Sequence, residues 1–238
     1  MNARPPGWSV VVSAEHGGND VPADYGALFR NQRKALRSHR GWDPGTRALA
    51  ESLARALQAP AITSSVTRLL VDLNRSPHNP RVFSRITRSL PRADRVALLE
   101  RYHRPHWERA RLAVSKEVAE RGRVLHLGVH SFTPVIDGEV RRADLALLYD
   151  PSRPRERGLA THWAEALSTS LPDRVVRRNH PYRGAADGMT TAFRGLFSGT
   201  RYLGLEIEVN QRHVGNDGSF PSWVAEALLA TLSGVLER

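Results

Sequence analysis

The sequence predicts an α/β protein, a single domain with a mainly parallel mixed sheet and helices on both faces. Three observations predict it. Short, almost uninterrupted apolar runs recur at residues 10–12, 124–132, 145–149 and 202–205, the signature of strands buried on both faces. Stretches of helical periodicity alternate with them. Several apolar runs also stop abruptly at polar residues. Val10-Val11-Val12 leads into Glu15-His16-Gly17-Gly18, Leu69–Leu73 into Asn74-Arg75, the run from Val124 into His130-Ser131 and the run from Tyr202 into Glu206. Open α/β sheets bind ligands beyond the carboxyl ends of their strands, so these residues are expected to meet at one sheet edge.

Composition narrows the class. The 238 residues are 40% hydrophobic and 25% charged, ordinary for a globular chain long enough to bury one sizeable core. No run of about 18 apolar residues occurs, so no membrane span is expected. The first residues lack an apolar signal core. Cysteine is absent, which excludes disulfides and thiolate ligands and fits a cytoplasmic protein. A metal would have to be held by His, Asp, Glu or Asn, a donor set that suits zinc. The net charge of +11 favours anionic partners. Nearly all of it is arginine, with Lys34 and Lys116 the only lysines, and no basic run of five or more occurs. That scatter reads as solvated surface and argues against nucleic acid as the partner.

The elements follow in order. Residues 8–14 are β-branched and read as a strand. Residues 21–39 read as a short helix. Asp43-Pro44 reads as a helix start, with Asp at the N-cap and Pro at the first helical position, and Leu49, Leu53 and Leu57 continue the stripe until Pro60. Residues 61–66 and 69–73 read as a strand or strand pair. Residues 91–122 carry a long helical pattern in which Pro105 predicts a kink or a break. Strand 124–132 follows, then a hairpin-type turn at Asp137-Gly138 and a strand at 145–149. A helix over 155–171, a short strand opening at Val175-Val176, a strand over 201–209 and a helix over 221–236 complete the chain.

The chemistry-bearing residues suggest a metal-dependent hydrolase. His16 and His130 share a placement at strand ends, and a third ligand is expected among Asn19, Asp43 and Glu15. Asn74-Arg75 offers a planar fork and an amide for a carboxylate. Glu206 ends an apolar strand, where a carboxylate is either paired or held ready as a base. Glu208 points the same way by strand alternation, so one of the two is expected to pair with an arginine. His103 and His106 have a metal-like spacing but read as a solvated helix face.

Together the segments Ser13–Asn19 with Val21-Pro22, Gly41–Asp43 with Gly45, Val71–Arg75, Val129–Phe132, Asn179–Tyr182 with Gly184, and Leu205–Ile207 resemble the N-formylglutamate amidohydrolase family. They occur in the family's order and span most of the chain. The resemblance implies a compact relative of the zinc carboxypeptidases, with the fold of zinc-dependent exopeptidases (phosphorylase/hydrolase-like). It makes His16 and His130 zinc ligands. Asn19 stands where the carboxypeptidase pattern has a ligating Glu, and Asp43, which opens the next helix, is the preferred third ligand. It makes Glu206 the general base, with Arg75 beside it in catalysis. Asn74, Arg75, Tyr182 and Arg194 would bind substrate. Glu208 replaces the family's Arg. The implied reaction is hydrolysis of a small anionic N-formyl or other N-acyl amino acid, such as N-formylglutamate. Two alternatives stand beside it: a carboxypeptidase-like hydrolase of another amide or short peptide, and a non-catalytic anion- or nucleic-acid-binding protein.

Overall fold

A computed structural model describes residues 8–236. Its centre is a six-stranded sheet built from β1 (Ser9–Ala14), β2 (Ala61–Thr63), β3 (Val124–Phe132), β6 (Leu145–Leu148), β7 (Val176–Arg178) and β8 (Tyr202–Asn210), in the order β2-β1-β3-β8-β6-β7. β2, β1, β3 and β8 run parallel, whereas β6 is antiparallel to β8 and carries β7 with it. β4 (Val135–Ile136) and β5 (Glu139–Val140) form the hairpin that Asp137-Gly138 predicts, both turn residues having positive φ. The predicted α/β class, mixed sheet and two helical layers are present.

Strand alternation divides labour between the two faces. Val10, Val12, Leu125, Leu127, Val129, Leu203, Leu205, Ile207 and Val209 join one large core. Over it lie α2 (Thr46–Ala56), α5 (Pro154–Ser170) and α7 (Ser222–Leu236). The opposite face carries Val11, Val124 and Tyr202, packed by α4 (Arg104–Arg121) and α6 (Met189–Leu196) through Ala110, Val114, Met189 and Phe193. These two helices cover only the amino-terminal half of that face. Its carboxyl half presents His130, Glu206 and Glu208 to a cleft.

Three expectations change, and the break expected near Pro105 is present. Residues 69–73 are not a strand. They turn, with the Asp72 N–H bonded to the Val82 carbonyl and the Arg75 N–H to that of Asp72. Leu70, Val71 and Leu73 are buried in small clusters beside the sheet, so their apolarity reports burial and not pleating. The 21–39 stretch is a 3₁₀ segment (Ala23–Phe29) followed by α1 (Arg33–Leu36).

Asp43 does not cap α2. Gly45, at φ +81°, occupies the cap position, and the Thr46 hydroxyl donates to the Asp43 carbonyl at 2.7 Å. The Asp43 side chain is thereby free to turn toward the histidines. The 91–122 pattern is α3 (Arg92–Leu98), one π-helical turn (Leu99–His103) and α4. Pro105 has no N–H to give to the preceding turn, and the wider turn absorbs that loss.

Candidate active site

The carboxyl ends of β1, β3 and β8 open into a cleft of about 850 Å³. On its floor, His16, Asp43 and His130 bring one donor atom each within 4.8 Å of one another, all three residues buried. One carboxylate oxygen, Asp43 Oδ2, lies 3.3 Å from Nδ1 of His16 and 3.2 Å from Nδ1 of His130. The far nitrogen of each ring faces a second carboxylate. His16 Nε2 donates to Asp72 Oδ1 at 2.7 Å, and His130 Nε2 lies 3.3 Å from Glu15 Oε2. Arg68 bridges the layer behind, donating to Asp43 Oδ1 and Asp72 Oδ2, each at 3.2 Å.

The electrostatics favour a cation. Burial alone would push the carboxyls up. Instead His16, His130 and Arg68 hold Asp43 well below the usual carboxylate range, His16 and Arg68 do the same for Asp72, and His130 for Glu15. Burial works against a charge on His130, yet Asp43 and Glu15 raise it well above its ordinary value. Glu208, in register beside His130, is pushed up to about 8, by burial first and by Asp43 and Glu206 next. Crowded carboxylates, two imidazoles converging through Nδ1 and a carboxylate behind each ring match the way ligating histidines are held. The residues fit a metal ion of the zinc type.

The remaining expected site residues divide. Glu206 lines the cleft, and the Thr190 hydroxyl donates to its Oε1 at 2.7 Å. Gly128 lies opposite it in register, and a Cβ there would sit 3.3 Å from Glu206 Cγ. Asn74 and Arg75 line the cleft too. Asn74 Oδ1 accepts the Met189 N–H at 2.9 Å, and Arg75 Nη1 donates to the Asp187 carbonyl at 3.0 Å. Tyr182 is exposed at the cleft wall, its hydroxyl accepting from Arg141.

Arg194 is elsewhere. Its buried guanidinium pairs with Glu156 at 3.0 Å and donates to the Gly184 and Gly204 carbonyls. It ties the 184 loop to β8 and has no hand free for substrate. Glu15 faces the outer nitrogen of His130, and the Asn19 amide donates to the Leu36 carbonyl. Among the described residues neither Glu206 nor Glu208 pairs with an arginine, and Glu208 Oε2 is buried without a hydrogen bond.

The roles of two residues escape the sequence reading, and one reading is overturned. Asp72 and Arg68 stand behind the histidines. His103 and His106 are 3% and 2% exposed, so neither lies on a solvated face. His103 stacks on Trp107 and its Nε2 meets the Arg75 carbonyl at 2.8 Å. Burial keeps His106 at about 4 against the pull of Glu15. The available signal was the i, i+4 spacing of His106 with Ala110, Val114 and Val118, all buried on α4.

The family model for N-formylglutamate amidohydrolase matches residues 8–214. The chain belongs to the N-formylglutamate amidohydrolase family. It is thus a hydrolase of the amide carbon–nitrogen bond. The gene product Atu2144 of Agrobacterium tumefaciens is 28% identical, with a TM-score of 0.77 over 99% of this chain and 93% of that one. The N-formylglutamate amidohydrolase of Ralstonia eutropha JMP134 shares the fold at 21% identity, with a TM-score of 0.72 over 99% and 96%. No curated protein matches the chain.

Proposed function

We propose that this amidohydrolase is zinc-dependent and removes a formyl or other small acyl group from an amino acid such as N-formylglutamate. One observation carries the reading: His16, Asp43 and His130 converge within 4.8 Å on the floor of the cleft that also holds Asn74, Arg75 and Glu206. These three would hold the ion. When bound, zinc supplies Lewis-acid chemistry, acidifying water and polarising a carbonyl oxygen.

The chain's own groups do the rest. Arg75 and Asn74 hold the carboxylate of the substrate amino acid, which fixes the distance from that carboxylate to the scissile carbonyl. Glu206 takes the proton of the attacking water and passes it to the leaving amine. The Thr190 hydroxyl keeps the Glu206 carboxylate aimed into the cleft. Asp72 and Glu15 fix the ring orientations of His16 and His130.

The test is formate release from a panel of N-formyl amino acids, with and without a chelator. Release that stops on chelation and returns with zinc supports the reading; release that ignores the chelator, or none from any substrate, overturns it. Arg75→Lys keeps the charge but loses the fork. It is expected to raise KM about tenfold on free-acid substrates, the worth of one charge-assisted hydrogen bond, and to change little on the same substrates with the carboxyl amidated. Equal losses on acid and amide would make Arg75 a structural residue.

A further inference from the structure

The cleft is bipolar. Its floor is crowded with carboxylates, among them the buried Asp43, Asp72 and Glu208. Its mouth is lined by arginines. Arg40 comes from the α1–α2 connection, Arg81 and Arg85 from the loop after Arg75, and Arg183 from the loop after β7. All four side chains are exposed. Among the described residues none of the four has a side-chain hydrogen bond or ion pair. Three separate segments thus bring uncompensated cations to one opening, at a cost in mutual repulsion. The cleft's volume lies near the top of the range for small-molecule sites, about 300–1,000 Å³, more than a formyl group and one amino acid need.

From these observations, and resting on the reading above, we infer that the acyl half of the preferred substrate is itself anionic: an amino acid acylated by a di- or polycarboxylic acid, with the free carboxylate held at the arginine mouth. The argument for the acyl half is one of connectivity and space. Arg75 takes one carboxylate of the amino acid, and a further anion reaches the mouth from an acidic side chain or from the acyl group; the acyl side is the part of a cleft of about 850 Å³ that a formyl group leaves unfilled. Exposed arginines hold such a group weakly one at a time and usefully as a set, at a few-fold each.

The experiment compares two substrates of equal acyl length, N-glutarylglutamate and N-pentanoylglutamate, on the zinc-loaded enzyme. The ratio of their kcat/KM values isolates the added charge. It is expected to favour the glutaryl compound about tenfold at low salt and to shrink as ionic strength rises. In the Arg81→Gln/Arg85→Gln double variant the ratio should fall toward one. A wild-type ratio near one, or a preference that survives the double substitution, overturns the inference. Calorimetric titration of both compounds separates it from the reading beneath. If neither is cleaved but the glutaryl compound binds more tightly through Arg81 and Arg85, the hydrolytic reading of small N-acyl amino acids fails while the anionic subsite stands. Cleavage of both at equal rates and affinities leaves the hydrolase and removes the subsite. Equally tight, competing binding of a single-stranded oligonucleotide would make the mouth a general polyanion surface, against the inference.

Discussion

Glu206→Gln is expected to lower kcat by about 10²–10⁴-fold, the worth of a positioned proton-transfer group, with bound zinc and thermal stability unchanged. Gln has the same shape and keeps an acceptor for the Thr190 hydroxyl, so the variant removes proton transfer and little else. Glu208→Gln is the matched comparison. Glu208 lies two residues along the same strand, and burial already pushes its carboxyl up to about 8. The amide keeps the shape of this buried side chain, to which no proton transfer is assigned, and a loss within about tenfold is expected. The readouts are kcat and zinc content for each variant. A zinc-replete, fully active Glu206→Gln enzyme would remove Glu206 from the chemistry, and an inactive Glu208→Gln would move the base to the position beside His130.

His16→Ala and His130→Ala are each expected to abolish stoichiometric zinc binding. Either substitution removes one of three donors, and with it one of the two imidazoles that converge on Asp43 at about 3 Å. Asp72→Asn and Glu15→Gln keep every donor atom but loosen the ring behind it, and such supporting groups are worth about 10–100-fold in metal affinity. Titration of the apoprotein against a competing chromogenic chelator measures all four, with a melting curve beside each to show that the fold persists. Stoichiometric zinc in both alanine variants would rule out this pair as the metal centre.

The strands were legible because the central sheet is parallel: β1, β3 and β8 are buried on both faces, and their apolar runs say so without reference to partners. The position of His16 just past β1 followed from the same runs, whereas β3 and β8 run on beyond His130 and Glu206 to Phe132 and Asn210. What failed were inferences that needed contacts distant in sequence. Residues 69–73 have a strand's composition, but no neighbour in the sheet accepts them, and their burial comes from Phe83, Leu99 and Tyr102 instead. Asp43 has the local signature of a helix cap, and local chemistry could not reveal that two imidazoles, 27 and 87 residues away, compete for its carboxylate. Arg194 looked available because its counter-ion, Glu156, lies 38 residues earlier on another helix. Arg68 carries no local mark at all: its place between Asp43 and Asp72 exists only once the chain has folded.

The π-helical turn at Leu99–His103 makes this region sensitive to chain length more than to residue type. A π turn accommodates one residue more than the α turn it replaces. The one extra residue is already absorbed there, so inserting a second in ordinary helical geometry would rotate α3 against α4 by about 100°. Leu98 would leave its apolar cluster, and His103 would swing off the Arg75 carbonyl. Relatives with one residue more through this helix are therefore expected to support their Asn-Arg segment by some other contact, whereas relatives of equal length can change most side chains along the turn and keep the cleft wall where it is.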